Sequence, residues 1–568
     1  MIAGVFGLLL ANVTVALGAG EITGHLKTGE APLDGLLFLL VRLALLSAAV
    51  LVAGLCHLLS PLGLGALSTA ALVGLLALGA HRRVRRPSLP EAGTVLWVLA
   101  GVVVVRLLLQ VWFFSPHLGD ALAYHLPKIA EWIRAGEFTR EMGLHPHAPF
   151  PAGFELVETW WVVFLRHDVL IEMAGVEFLL LAFAATYALA KGLNLGDRGA
   201  FFAGFLFVLT PGLHLSATSC LNDAPVAALV VATFALVAGR VRAPLVLLAV
   251  GLGIGVKATY AYTLPGVLLL GFLSRKDAPR PLASPRGAIA IALVGAILGG
   301  FWYGRNLLWF GNPVYPVGSP GYAELPVAVQ AGPSVAGFLS NASDLLNSRI
   351  YDNQGPYGAN VDNIAGWGPV AFACGLVALV LGWREDPRLR RVAVSFGVSL
   401  AGAFLLMIHD PWSLKYVFFF PALLSIAAAR LALQSRPALG ITAAAGAVAF
   451  LGTLLPYDLQ FKHLRVLASQ SWRTRTALPF AEPDLPESRI GCFGGFLANA
   501  YLLYGPDFSR DVVYLRPDSA AELVEGMTRA GLTLLYAAPV TSRESSILAE
   551  SVRGGHLVRL GGSVYRLK

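Results

Sequence analysis

The chain has 568 residues, 56% of them hydrophobic and only 13% charged, with a mean hydropathy of +0.68 and a formal net charge of +8. So much apolar surface could not all be packed inside a soluble domain, and most of the basic residues sit in short loops between apolar runs, where the positive-inside bias of membrane proteins places them without any need for a nucleic acid. The four cysteines (Cys56, Cys220, Cys374, Cys492) are scattered, without the spacing of a metal site, and three lie in or beside apolar segments, as buried thiols do.

The first run, "MIAGVFGLLLANVTVALGAG", lacks the basic start of a signal peptide and reads as a span. Apolar runs that can cross the hydrocarbon core as helix then recur at approximately 35–59, 61–80, 94–114, 169–190, 199–215, 224–239, 243–257, 260–273, 287–309, 364–382, 391–409, 412–431 and 437–455. With the first, that makes a polytopic α-helical membrane protein of about 14 transmembrane helices. The pair within 243–273 is short, as in tilted or broken spans. The basic cluster "HRRVRR" (81–86) sets the cytoplasmic side, and the later basic loops at 191–198, 240–242, 275–286, 384–391 and 430–436 can share it on one condition. The segment "FELVETWWVVFLRHD" (154–168), with Glu155 and Glu158, must not cross; it reads as an outer-surface or re-entrant helix held at the interface by Trp160 and Trp161.

The span at 94–114 then runs outward and delivers "SPHLGDALAYHLPKIAEWIRAGEF" (115–138) to the outer face. Leu122, Leu126, Ile129 and Ile133 recur at helical spacing, so 121–135 forms an amphipathic helix along the membrane surface, kinked by Pro127. Asp120 has two readings of equal standing: an N-cap, or a carboxylate at the membrane boundary that takes a proton from an acceptor hydroxyl. Asp223, in "LNDAPVAALVV", carries the same ambiguity on the same face, and two acidic groups there can share base, orienting or metal-binding work. His117, His125, His145 and His147 crowd one loop. "LHPHAP" puts His145 and His147 close enough to serve a divalent metal, although spacing fixes no third ligand and hydrogen bonding is the commoner use.

"GLGIGVKATY" (251–260) fails as a phosphate loop, because no serine or threonine follows Lys257; its glycines read as close helix packing. Lys257 between two short spans is costly unless paired, which makes it a candidate for an anionic lipid head group. Arg305 in "FWYGRNLLWFGNPVYP" and Lys415 in "HDPWSLKYVFFFP" also end apolar spans on the outer side. Each alone would snorkel; three outer cations against the positive-inside bias favour a specific anion. Past Pro456 the chain reads as short strands ("RIGCFGG", "DVVYLR", "LTLLYAAP", "HLVRL" and "SVYRLK") with helical stretches such as "SAAELVEGMTRAG", a small α/β domain outside the cytoplasm. The organisation is then 1–86 additional spans, 87–455 a transmembrane module and 456–568 the α/β domain.

In this order, "GDALAYHLP", "LNDAP", "GVKATY", "RNLLWFGNPVYP" and "LKYVFFFP" resemble the GT-C fold glycosyltransferases over roughly residues 90 to 435, and among them bacterial relatives of protein O-mannosyltransferases and lipid A aminoarabinose transferases. "GNPVYP" after Arg-Asn is the most specific piece. The resemblance implies a polyprenyl-phosphate sugar donor and a glycan, lipid or protein acceptor. It places transfer at the extracytoplasmic face of a bacterial inner membrane, usually with inversion. It implies Asp120 as the catalytic aspartate and Asp223 as the second acidic residue. Lys257, Arg305, Lys415 and Tyr416 would lie near the donor phosphate, with His125, Glu155 and Glu158 in the loops around donor or acceptor. Many relatives have Arg-Tyr where this chain has Lys415-Tyr416, and lysine cannot grip phosphate bidentately. No cofactor is implied with certainty; metal use varies among such enzymes. Two other classes compete. A transporter or flippase of a lipid-linked or anionic solute would show internal repeats and midplane ionisable residues; this chain shows no repeat and gathers its polar residues at one face. A polymerase or ligase of polyprenyl-diphosphate glycans would use the same face with a different donor.

Overall fold

A computed structural model describes residues 2–80, 90–114, 116, 119–140, 142–275, 284–319, 335–347, 367–407, 413–454, 488–494, 500–505, 507–539 and 541–568. The "HRRVRR" cluster, His117, the "HDPW" turn and most of loops 275–286 and 304–363 lie outside them. In chain order the helices are α1 (Ile2–Leu26), α2 (Ala31–Leu55), α3 (Pro61–Ala77), α4 (Thr94–Phe113), α5 (Leu126–Ala135), α6 (Gly153–Val163), α7 (Met173–Gly192), α8 (Asp197–Val208), α9 (Pro211–Ala217) and α10 (Asp223–Ala238). There follow α11 (Ala243–Val256), α12 (Leu264–Leu273), α13 (Pro285–Phe310), α14 (Val335–Asn347), α15 (Leu376–Glu385), α16 (Pro387–Leu406), α17 (Phe420–Gln434) and α18 (Arg436–Leu454).

Six described helical segments are long and apolar enough to cross a membrane, or seven if α8 and α9, bent by 69°, form one span. The other described apolar stretches form helices of 10–17 residues. The expected fourteen crossings are therefore helical where they are described, but many are too short to be counted as spans by length. Local chemistry explains several of the breaks. Pro211 opens α9, where a proline's missing N–H is harmless, and a 3₁₀ turn at Ala258–Thr263 separates α11 from α12. The α15 region begins in a π-helical turn at Ala371–Gly375.

The centre of the bundle is α10, buried on every side from Asp223 to Leu236 and packed against α7, α11 and α12. It has no polar stripe because no face meets water. The glycines of "GLGIG" do what close packing needs: a Cβ on Gly251 would stand 2.1 Å from the Gly295 carbonyl oxygen of α13, and one on Gly255 2.6 Å from that of Leu298. With no Cβ on either side, the α11 and α13 backbones approach directly.

Helix α6 is only ~16 Å long and packs against α2, α5, α7 and α11. Trp160 is fully buried, and the Trp161 indole donates to Glu177 at 3.1 Å. Neither tryptophan serves as an interfacial anchor, because α6 is enclosed by protein.

The C-terminal chain forms five strands: β1 (Arg489–Gly494), β2 (Asp511–Leu515), β3 (Leu534–Ala538), β4 (Leu557–Gly561) and β5 (Val564–Leu567). Their order is β2-β1-β3-β5-β4, with β1 parallel to β2 and β3 and a terminal antiparallel hairpin. Two helices, α19 (Ala520–Arg529) and α20 (Ser542–Arg553), cover one face around Leu523, Met527 and Leu548. The opposite face, through Ile490, Cys492, Val512 and Tyr514, is continuous with the core of the helical bundle. Cys220, Cys374 and Cys492 are buried free thiols and Cys56 is exposed.

Candidate functional site

The site begins at the end of α4. The chain re-enters helix at Gly119-Asp120, makes a π-helical turn over Ala121–His125 and continues as α5. Pro127 has no N–H to give the ladder, and the wider turn just before it re-routes the bonding, Leu126 N–H reaching the Ala121 carbonyl. Asp120 has helical backbone angles and its side chain makes no capping bond. The cap reading of Asp120 therefore falls: the carboxylate is not spent on the helix end. At Asp223 the flanking position is Asn222, and Asp223 already lies in the first turn of α10.

Both carboxylates face lysines. Lys415 Nζ stands 3.6 Å from Asp120 Oδ2, and Lys257 Nζ donates to Asp223 Oδ1 at 2.6 Å. The Tyr416 ring joins the two pairs, with Lys257 Nζ 4.4 Å and Lys415 Nζ 5.7 Å from its centroid. Residues from four separate segments thus form one line: Asp120, Lys415, Tyr416, Lys257, Asp223. Within it Asp120 is the accessible acid, its side chain 42% exposed against 2% for Asp223. Dense surroundings oppose ionisation of Asp120, but the Lys415 cation outweighs that and holds its pKa below the ordinary 3.8.

Tyr124, one turn on, donates to Asp120 Oδ2 at 3.4 Å. Burial first, then the Asp120 charge, pushes its phenol well above 10, so it stays a donor. Its ring lies against three imidazoles: His125 at 4.2 Å, His145 stacked at 4.5 Å and His147 edge-on at 5.6 Å. His145 Nδ1 accepts the His147 backbone N–H at 3.1 Å and so carries no proton there. Burial is the main cause that lowers His145 to about 3 and His147 to about 4.

Beneath this line lies a buried triad. Glu155 on α6 accepts from Lys128 Nζ at 2.6 Å and His125 Nδ1 at 2.9 Å, both at Oε1. None of the three side chains is more than 3% exposed. Burial opposes the Glu155 charge, but Lys128 and His125 hold its pKa at about 2. A carboxylate only accepts, so His125 donates through Nδ1, and burial lowers its pKa, which favours the neutral ring. Glu158 is also fully buried, but it faces Cys220 instead; burial drives its pKa well above 4.5, which makes it a neutral acid.

Arg305 is not spent on the lysine line. Its guanidinium donates to the Pro149 carbonyl at 2.5 Å and to Asn306 Oδ1 at 2.7 Å, and lies over Trp302 and Trp309. Asn306 Nδ2 in turn bridges the carbonyls of Pro149 and Tyr315. The Arg-Asn before "GNPVYP" therefore ties the histidine loop to the end of α13. As for a metal, no three His, Cys, Asp or Glu side chains among the described residues are grouped to hold one. His145 and His147 pack ring against ring with centroids 4.7 Å apart, and one His145 nitrogen is already used. Among the described residues the donor set does not fit a divalent ion.

Tyr124 and Lys128 did not emerge from the sequence, although with Asp120 they fall at intervals of four, one polar stripe on the amphipathic helix. With both histidines neutral, a reaction in which Asp120 takes a proton should have kcat/KM flat from pH 7 down to about 5, falling only as Asp120 itself protonates. A pH–rate profile with an acid limb near 6.5 would move the proton to a histidine.

No family model and no curated protein matches the chain. Among solved structures it is similar to ArnT from Cupriavidus metallidurans, both bound to undecaprenyl phosphate and in the apo state. The TM-score is 0.52 at 13% identity, over 82% of this chain and 97% of that one. A looser likeness, TM-score 0.38 at 12% identity over 78% of this chain and 69% of the other, is to the oligosaccharyltransferase AglB from Archaeoglobus fulgidus, in complex with an inhibitory peptide and a dolichol-phosphate. The ArnT likeness shows the fold: this is an integral membrane protein of the GT-C type with a small C-terminal sheet.

Proposed function

We propose that the chain is a membrane glycosyltransferase that moves a sugar from a polyprenyl-phosphate donor to an acceptor hydroxyl. The reaction would take place at the outer face of a bacterial inner membrane. The observation that carries this reading is the line Asp120, Lys415, Tyr416, Lys257, Asp223, which sets one accessible carboxylate beside two cations. The GT-C fold supports it, since ArnT was captured with undecaprenyl phosphate.

The acceptor oxygen bonds to C1 of the sugar while the bond from C1 to the phosphate oxygen breaks; the hydroxyl proton passes to Asp120, and polyprenyl phosphate leaves between Lys257 and Lys415. Asp120 is a weak base, which suffices because the hydroxyl becomes acidic only as its bond to C1 forms. A donor phosphate drawn to Lys415 would also weaken that lysine's hold on Asp120 and so raise its basicity where it is needed. Tyr124 keeps the carboxylate aimed, while His125, Glu155 and Lys128 form the rigid floor. Arg305 and Asn306 hold the loop on the other side.

The test is to incubate purified protein in detergent with polyprenyl-phosphate sugars and measure released polyprenyl phosphate. Turnover is expected with at least one donor. No turnover with any donor, together with solute-driven flux in liposomes, would replace the enzyme by a transporter.

A further inference from the structure

The C-terminal sheet is not a free appendage. Its 3₁₀ turn Ala500–Tyr504 packs directly on both the π-helical turn Ala121–His125 and α5. Tyr504 is fully buried there; its hydroxyl donates to Glu131 Oε2 of α5 at 3.3 Å and meets the Tyr514 hydroxyl of β2 at 2.9 Å. Arg134 of α5, bonded to Glu131 at 2.6 Å, reaches Asp511 of β2 at 3.3 Å. Just beyond β2, Arg516 Nη2 donates to the Gly143 carbonyl at 2.8 Å. Gly143 has φ +110, with Tyr514 3.7 Å from where its Cβ would be, and it opens the loop that carries His145 and His147. A fourth contact, Tyr501 to Asp168 at 3.0 Å, holds the chain beyond α6.

These contacts explain why α5 is buried from Leu126 to Ile133, polar residues included. Its apolar face meets the bundle, Lys128 is taken up by Glu155 of α6, and Glu131 and Arg134 face the C-terminal sheet. The histidine loop is gripped at two points, by Arg516 at Gly143 and by Arg305 at Pro149.

We infer that the C-terminal α/β unit is a positioning clamp for the site, with Tyr504 and Arg516 as its positioning residues. Tyr504 fixes the helix that carries Asp120, Tyr124 and Lys128, and Arg516 fixes the wall formed by His145 and His147. Neither touches the reacting atoms. The catalytic part of this inference rests on the glycosyltransferase reading; the mechanical part does not.

The experiment compares full-length wild type, Tyr504→Phe, Arg516→Ala, Arg516→Lys and the double variant Tyr504→Phe/Arg516→Ala. Hydrogen exchange is followed in peptides covering 119–135 and 142–149, and kcat and donor KM are measured alongside. Tyr504→Phe removes one hydroxyl and keeps the ring, so the fold survives. In the double variant, exchange should rise in those two segments and not in α10, and kcat should fall roughly 10- to 100-fold with donor KM within about twofold, as loosened catalytic geometry predicts. Arg516→Lys should restore most of the rate, since one N–H to one carbonyl is all that is asked of it. Unchanged exchange in both segments overturns the clamp, and so does exchange that rises equally throughout the bundle. Local loosening with wild-type kcat overturns the positioning role. Should the wild type turn over no donor at all, it is the glycosyltransferase reading that falls, and the exchange data still decide the clamp.

Discussion

Replacing Asp120 by asparagine should leave the chain folded and membrane-inserted while sugar transfer falls by roughly a hundred- to ten-thousand-fold, the range that general-base groups contribute. The geometry makes this a clean substitution. Asp120 makes no capping bond, so no helix end is lost. Asparagine has nearly the same shape and keeps an oxygen for the Tyr124 hydroxyl, which lies 3.4 Å from the carboxylate. What it loses is the charge beside Lys415 and the ability to hold a proton. The lost ion pair is long, at 3.6 Å, and open to solvent on the Asp120 side, so it should cost less than about 1 kcal/mol of stability. Rates of polyprenyl phosphate release, set beside melting curves in detergent, separate the two effects. Full turnover in this variant would remove Asp120 from the mechanism.

The second large effect concerns stability. Lys128→Met should destabilise the protein by about 3–5 kcal/mol, because it strands a carboxylate without its cation in the protein interior. Glu155 is completely buried, and among the described residues His125 would be its sole remaining partner and its Oε2 has no hydrogen-bond partner to begin with. The double variant Lys128→Met/Glu155→Leu should recover most of the loss, since two apolar side chains of similar volume escape the desolvation cost. Melting temperatures of the two singles and the double give the coupling directly. Additive losses would mean that the pair is not an energetic unit. The triad also sets an acid limit: Glu155 is held at about 2 against an ordinary 4.5, so its contribution is complete above 4.5 and is lost as pH falls from there toward 2.

Much of the architecture could be read from single segments. Spans announce themselves by apolar length, which is a local property, and each apolar run that is described is indeed helical. The closing strands were legible because alternation and the turn at "GG" are local too. Span count was less legible: breaks at Pro211 and after Lys257 divide apolar runs into helices shorter than a bilayer. The surface helix was legible as an amphipathic helix, but not what covers Glu131 and Arg134 on it, since Tyr504 and Asp511 come from the far end of the chain.

For the site, the sequence by itself determined the chemical inventory: two acids, the basic residues at span ends, a tyrosine beside a lysine, a cluster of histidines and the face on which they were expected to gather. Only the tertiary structure decided the pairings. It set Lys415 against Asp120 and Lys257 against Asp223, sent Arg305 to a backbone carbonyl, buried Glu155 under Lys128, and turned His145 and His147 toward a tyrosine ring. The physical reason is that a charge near a membrane must find a partner, a requirement visible in the sequence, whereas the partner it finds depends on distances between helices that no local pattern encodes.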